Sequence, residues 1–562
     1  MPVLQRTAGR TGRISPMREI PLRAWLLAAF SGLLQVVPFP IAGPVHHWRS
    51  ALVFVAIVPL LMALLDCDTQ REPLRWRQTA ALGYLSGIIW YLGNCYWIYP
   101  TMHLYGGLSG PVSFAILILF SLYLGLYPAL FGLLIGVMRA SRVRAAGALV
   151  VAPFVWVAVE LARARITGFP WDLLGTAQVD NFLLTQIAPW TGVYGMSFVI
   201  VLVNAHIAGY FIFRKRGMRM QSLGIGLLLA AFIELGGLHV HRFMPMAAEP
   251  HETAVLLQEN LEVGAQAGGL AVQSDFTTVG AMYAEFERLS LHPEDHFAAR
   301  RDAGLVGATQ LVVWPESPAP FQTPEAPFDQ QMGLLAQAAR APVIAGAIGV
   351  VPDPAREKNY KIFNSAAFFQ PDGSSAGRYD KVHLVPWGEY VPFKSLFFFA
   401  GNLTQGVGDF DRGTQRNIFR SGGHAFGTFI CYESVFPNEV RQFVLNGAEV
   451  LVNISNDGWY GDTSAPWQHL NMVRMRAIEN HRWVLRATNT GITASIDPFG
   501  RVYEAAPRHV RTAITVGFNY RDDLTFYTLH GDVFAWMCAA VTVLLWLAAL
   551  VEVFQPKRRN HA

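Results

Sequence analysis

Apolar residues run almost unbroken over about 22–40, 51–66, 79–100, 111–138, 145–162, 190–213 and 221–240, and then not again until about 533–554. An α-helix needs about 20 apolar residues to cross a bilayer. The runs predict seven spans, the one at 51–66 the shortest, then a long polar interval and one final span. Between Met244 and about Arg521 the pattern changes to short β-like runs, polar turns and amphipathic helices. The expected organisation is an N-terminal membrane domain over 1–243, an α/β domain over 244–525, and a C-terminal span with a basic tail over 526–562.

Composition agrees. Of 562 residues, 52% are hydrophobic and 15% charged, against roughly 25% charged in soluble domains. A water-soluble globule has too little interior for that much apolar sequence. With 37 Phe, 15 Trp and 18 Tyr the chain is no solvated coil. A net charge of +4, without a basic aromatic groove, speaks against nucleic acid as a partner.

Basic residues orient the spans. On one side fall Arg6, Arg10, Arg13, Arg18 and Arg23, then Arg71, Arg75 and Arg77, then Arg139, Arg142 and Arg144. Arg214, Lys215, Arg216 and Arg219 follow on that side, and Lys557, Arg558 and Arg559 close the chain. The alternate short loops hold only Arg49, Arg163 and Arg165. The positive-inside rule then places both termini in the cytoplasm and exports the α/β domain. Val37-Pro38-Phe39-Pro40 is no small-residue cleavage site, so the first run is read as a span rather than a signal peptide. His46-His47 and His239 with His241 lack further ligands at metal spacing, and no metal or other cofactor is expected.

Cys67, Cys95 and Cys538 lie in or beside spans, which leaves Cys431 alone in the exported domain, without a partner there for a disulfide. Such a thiol is either a small buried hydrophobe or a nucleophile. In Gly427-Thr-Phe-Ile-Cys431-Tyr432-Glu433-Ser434 an apolar β run stops at the cysteine, and Pro437 soon follows. That is the strand-to-helix elbow that presents a nucleophile at a sheet edge. A thiol of ordinary pKa, near 8.5, needs a base beside it. Glu316 ends the run Leu311-Val-Val-Trp314-Pro315, and Lys381 is followed eight residues later by Glu389. The chain has 38 Arg and only six Lys. Positions that need only charge are filled by Arg, so Lys381 marks a demand for a compact ammonium.

Trp-Pro-Glu316, Asp-Lys381-Val-His and Ile-Cys431-Tyr-Glu resemble the Glu-Lys-Cys triad of the nitrilase, or carbon-nitrogen hydrolase, superfamily. More closely, the chain resembles the apolipoprotein N-acyltransferase family. That likeness rests on Gly192-Val-Tyr-Gly-Met-Ser-Phe198 with Val203-Asn204, and on Lys381-Val-His-Leu-Val-Pro-Trp-Gly-Glu389-Tyr-Val-Pro-Phe393. It continues through Asn456-Asp-Gly-Trp459-Tyr-Gly, Ser464-Ala-Pro-Trp-Gln-His469, Arg486-Ala-Thr-Asn-Thr-Gly-Ile492 and Asp497-Pro-Phe-Gly500.

The resemblance implies an αββα sandwich for the exported domain, with Glu316 as general base for Cys431. Lys381 and the backbone N–H after Cys431 would stabilise the oxyanion, and Glu389 would orient Lys381. Tyr432, Glu433 and Trp459 match supporting positions. On the residues alone the other reading is a helix-start carboxylate for Glu433 and plain packing for Tyr432 and Trp459. Also implied are a phospholipid acyl donor, a diacylglyceryl-cysteine apolipoprotein as acceptor, a thioester acyl-enzyme, and a bacterial inner membrane with the catalytic domain on its periplasmic side.

A membrane-tethered amidase would use the same triad but needs one anchor, not seven spans. A transporter would carry paired intramembrane charges, whereas Glu160 and Glu234 are among the few here. One departure stands out. The family's Gln-Gly-Asn-Ile reads Gln258-Glu259-Asn260-Leu261, no Trp follows before Trp314, and a Gly- and Ala-rich loop, Gly264 to Ala271, occupies that region. Leu396-Phe-Phe-Phe399 with Leu403 is either a loop that dips into the leaflet or a buried strand.

Overall fold

The computed structural model describes residues 19–65, 74–140, 144–243, 249–263, 276, 278–304, 306–316, 321–323, 325–356, 359–386, 388–390 and 410–554. The basic residues at 6–18, 71, 142 and 557–559, Cys67, the Gly264–Ala271 loop and the segment 396–403 lie outside them.

Helices form where the apolar runs fall: α1 (Leu22–Val36), α2 (His47–Leu65, interrupted), α3 (Trp76–Asn94), α4 (Gly110–Ala140), α5 (Arg144–Ala162), α6 (Val193–Ile212) and α7 (Arg216–Phe243). Six helical segments in the described residues are long and apolar enough to cross a membrane, namely α2, α4, α5, α6, α7 and the C-terminal helix Val533–Phe554. The count of eight expected spans is therefore not reached on this criterion. Helix α1 has only 15 residues. In α3 the apolar run is diluted by Arg77, Gln78, Thr79, Ser86 and Asn94.

Segment α2 reads as the shortest run because its helix breaks at Val55–Ile57. Asn204, buried on α6, repairs the break by accepting from the Ile57 N–H (2.9 Å) and donating to the Val53 carbonyl (2.9 Å). In a lipid-like interior such backbone groups need a protein partner. Glycines let α3 and α4 approach closely. A Cβ at Gly83 or Gly87 would enter Pro128, and one at Gly132 or Gly136 would enter Thr79, as expected for small residues at a helix–helix seam.

The α/β domain holds two sheets. The first is built from β1 (Glu252–Gln258), β2 (Thr309–Val313), β3 (Gln322–Thr323), β4 (Val343–Pro352), β5 (Tyr360–Phe369) and β6 (Ser375–Asp380). The second contains β7 (Ile418–Ser421), β8 (His424–Ile430), β9 (Val450–Ser455), β10 (Val484–Thr488), β11 (Ala494–Ile496) and β12 (Val502–Ala505). A last strand, β13 (Thr512–Phe518), returns to the first sheet, whose order is β13-β1-β2-β4-β5-β6 with β3 beside β4. The second sheet runs β12-β11-β10-β9-β8-β7. In each sheet the central pairs are parallel and the outer ones antiparallel.

Alternation along β1 shows how the layers stack. Ala254 and Leu256 face the second sheet and share a core with Val450, Val452, Ile454 and Leu485. Val255 and Leu257 point the other way, against Met282 and Phe286 of α8 (Val279–Leu291) and Phe328, Met332 and Leu335 of α9 (Ala326–Ala339). Helices α10 (Pro437–Leu445) and α11 (Ala465–Asn480) cover the outer face of the second sheet. The result is the expected helix–sheet–sheet–helix sandwich. Helix α11 also joins the domain to the membrane helices. Gln468 donates to the Pro40 and Asn94 carbonyls (3.2 and 3.0 Å), and Glu479 accepts from the Val193 N–H (2.9 Å).

Candidate active site

Four strand ends meet at one end of the sandwich. Glu316 follows β2, Lys381 follows β6, Cys431 follows β8, and the turn Asn456–Tyr460 follows β9. β2 and β8 are apolar runs that stop where a polar residue emerges, whereas β6, largely polar and exposed, brings Lys381 in from the outer edge of the first sheet.

Cys431 sits at φ +49°, in the left-handed region, at the first position of the 3₁₀ turn Cys431–Val435. A non-glycine residue there costs on the order of 1–3 kcal/mol and persists only where its surroundings enforce it. This is the elbow expected from the sequence. It turns the side chain away from the sheet and leaves the first N–H groups of the turn without helical partners.

Lys381 is buried, with Nζ 2.9 Å from Glu389 Oε1 and 3.4 Å from Glu316 Oε1. Asn364 on β5 donates to both carboxylates at 2.6 Å, so one amide spaces the two acids. The second oxygen of Glu316 accepts from the Asn456 N–H (2.8 Å), and that of Glu389 from the Val385 N–H (2.7 Å). Burial alone would lower the Lys381 ammonium pKa, but Glu316 and Glu389 outweigh it and raise it well above the ordinary lysine value. Burial pushes the Cys431 thiol up and Glu316 pushes it further, while Lys381 pulls it back. The thiol is therefore protonated at rest and lies within the field of both a carboxylate and an ammonium.

Glu433 is buried and holds the frame together. One of its oxygens accepts from Tyr379 Oη (2.7 Å) and from the N–H groups of Val382 (2.7 Å) and His383 (3.1 Å); the other accepts from the Ile430 N–H (2.8 Å). It thus pins the lysine loop to the cysteine elbow. Tyr432 donates its hydroxyl to the Gly168 carbonyl of the helical domain (2.7 Å). Trp459 is half-buried on the turn after β9 and makes no hydrogen bond to the cluster among the described residues.

Several partners escape sequence reasoning. Asn364 sits mid-strand in an unremarkable context. Asp457, His469 and Arg486 lie inside the recognised stretches but form a buried network behind the elbow. Asp457 accepts from Ser455 Oγ (2.8 Å), His469 Nδ1 (2.9 Å) and Arg486 (2.6 Å). Burial opposes its charge, yet Arg486 and His469 hold its carboxyl below the usual carboxylate range. The one available signal was Asp457 in the polar turn that directly follows the buried strand β9.

A sandwich with these strand-end residues, joined to a bundle of apolar helices, defines a membrane-embedded protein of the carbon-nitrogen hydrolase class. Residues 256–519 match the family model described as carbon-nitrogen hydrolase, and residues 31–206 match that of the apolipoprotein N-acyltransferase N-terminal domain. Proteins named apolipoprotein N-acyltransferase are similar over nearly the whole chain. That of Geobacter metallireducens is 36% identical, covering 98% of this chain and 99% of its own. Those of Methylococcus capsulatus and Haemophilus influenzae are 31% and 30% identical, covering 96% and 93% of this chain and 97% and 94% of theirs. The chain belongs to the apolipoprotein N-acyltransferase family.

Proposed function

We propose that the protein transfers an acyl chain from a phospholipid to the α-amine of an N-terminal diacylglyceryl-cysteine of apolipoproteins, with Cys431 as nucleophile. The observation that carries this reading is the strained Cys431 elbow beside the buried Glu316–Lys381–Glu389 cluster, in a domain docked onto membrane helices. Glu316 takes the thiol proton as Sγ attacks the ester carbonyl carbon. Lys381 and the Tyr432 backbone N–H hold the tetrahedral oxyanion. The C–O bond then breaks, the lysophospholipid oxygen leaves with the proton from Glu316, and Cys431 carries a thioester. The acceptor amine attacks that thioester and gives its proton to Glu316. The C–S bond breaks, and the thiolate recovers the proton as the amide departs.

In this reading Glu389 orients Lys381, Glu433 and Tyr432 hold the elbow, and Trp459 flanks the acyl group. The domains run over 1–243, 244–525 and 526–562, with eight spans, both termini in the cytoplasm of a bacterial inner membrane and the sandwich on the periplasmic face. The unequal distribution of basic residues supports that orientation. Membrane attachment suits the substrate, since exposing an acyl chain of about fifteen methylenes to water costs on the order of 12 kcal/mol.

Incubation of the purified full-length protein with phospholipid and no acceptor tests this. Intact mass is expected to rise by one acyl group on Cys431, released by neutral hydroxylamine, and a diacylglyceryl-cysteine peptide discharges it as an amide. Cys431→Ala and Glu316→Gln form no such adduct. Acylation at Cys95 or Cys538, or transfer that survives loss of Cys431, overturns the assignment.

A further inference from the structure

Behind the elbow lies a fully buried histidine that the proposed reaction does not use. His469, in the second turn of α11, has Nε2 3.1 Å from the Cys431 carbonyl oxygen and 2.6 Å from Ser434 Oγ. Its Nδ1 lies 2.9 Å from Asp457 Oδ1, and Asp457 is in turn bound by Arg486. One face of the ring stacks on Trp171 of the helical domain, centroids 5.8 Å apart and planes 24° apart. The indole N–H of Trp171 donates to Gln468 Oε1 (2.8 Å), the residue before His469, and Gln468 reaches back to Asn94 and Pro40. Trp97 packs on Trp171 at 5.0 Å and on Tyr460 at 5.2 Å, closing the ring of contacts.

We propose that His469 is a positioning residue that fixes the peptide plane after Cys431, and that Trp171 clamps it, so that the elbow keeps its working shape only while the helical domain and the sandwich are docked. The proposal rests on the reading of Cys431 as the nucleophile. Its physical basis is the planar trans peptide, in which C=O and N–H point in opposite directions. The Asp457 carboxylate and the Cys431 carbonyl can only accept, so a ring that makes both bonds carries a proton on each nitrogen, and the one on Nε2 holds the carbonyl oxygen toward α11. The Tyr432 N–H of the same plane is thereby aimed the other way, to the side where the oxyanion forms. Cys431 is strained at φ +49°, so an elbow without this bond relaxes toward ordinary backbone angles and carries the donor with it. Asp457 prevents the ring from rotating, and the indole prevents it from tilting.

Single-turnover acylation of the full-length protein by dipalmitoyl phosphatidylethanolamine reads the effect directly. His469→Ala is expected to lower the thioester-forming rate constant about 100-fold, the size of a lost oxyanion donor, with the apparent KM for lipid unchanged within about two-fold. His469→Gln, whose amide can donate to the same carbonyl, recovers about ten-fold of that loss. Trp171→Leu lowers the rate constant about ten-fold with His469 intact. The double variant His469→Ala with Trp171→Leu is no slower than His469→Ala alone, because both act through one bond. Multiplicative losses, a Gln variant no better than Ala, or an effect confined to KM overturns the proposal. Should the Ala variant not fold, the Gln and Trp171 variants decide. Acyl attachment away from Cys431 in the unsubstituted protein sinks the underlying reading instead; attachment at Cys431 with rates insensitive to His469 sinks only this one.

Discussion

Lys381 shows how much one side chain asks of its neighbours. Its ammonium sits against Glu389 and Glu316 with almost no exposure, and a single amide, Asn364, separates those two acids. Arginine would keep the charge, but its planar fork is larger and its donors point along fixed directions. Lys381→Arg is expected to cut thioester formation at least about 100-fold while the protein still folds, measured as hydroxylamine-labile acyl adduct per mole of enzyme. The scarcity of lysine made this residue legible in the sequence. Asn364 was not legible, because an amide on a strand has no signature until the acids it spaces are brought beside it.

Glu259 is the opposite case, a carboxyl group with no use in the proposed chemistry. It is buried, and neither of its oxygens has a hydrogen-bond partner in the described structure. Burial raises its pKa well above the ordinary value, and Arg511 only partly offsets this. The folded state thus holds a proton there that the unfolded chain releases above about pH 4.3. The associated stability is present below that pH and is lost as pH rises through the higher folded value. Glu259→Gln removes that loss. Its melting temperature should fall less between pH 5 and pH 8 than that of the unsubstituted protein. Equal falls would show that Glu259 is ionised and satisfied in the folded state.

Among the elements, the 3₁₀ turn Cys431–Val435 was readable because hydrophobicity stops abruptly at Cys431 and Pro437 opens the next helix. What the turn is fastened to was not readable. Glu433 accepts from three backbone N–H groups and one hydroxyl, drawn from β6, the lysine loop and β8. Only the fold brings those segments together. Glu433→Gln places an amide NH₂ among donors, leaving at least one buried group unpaired at about 1–3 kcal/mol. The expected outcome is a melting temperature several degrees lower and a thioester-forming rate down by about ten-fold or more. An unchanged rate in a destabilised variant would confine Glu433 to the scaffold. Segment α2 makes the same point in the membrane domain. A window of apolar residues cannot reveal that its helix breaks at Val55–Ile57, because the repair comes from Asn204, far along the chain.

At the scale of the whole molecule the two parts are joined by polar bonds in an otherwise apolar setting. Tyr432 pairs with Gly168, Glu479 with Val193, Gln468 with Asn94, and Arg474 with Asp180. All four helical-domain partners sit at ends of helices or in the loops beside them, so the sandwich rests on one face of the bundle. Loops at that face carry Arg49, Arg163 and Arg165, whereas Arg75, Arg77, Arg139, Arg214, Lys215, Arg216 and Arg219 lie at the other ends of the same helices. The proposed orientation, with the sandwich outside, follows if those basic loops are retained in the cytoplasm. A reporter active only after export should therefore be active when fused after Met244 and inactive when fused after Lys557. Shifting the balance should weaken the preference. Replacing Arg214, Lys215, Arg216 and Arg219 together by Gln is expected to give mixed reporter activity after Met244, because the span before the sandwich then loses its cytoplasmic anchor. Strong activity after Lys557 with none after Met244 would put the sandwich in the cytoplasm, on the wrong side for lipoproteins that mature after export, and the proposed acceptor would fall with it.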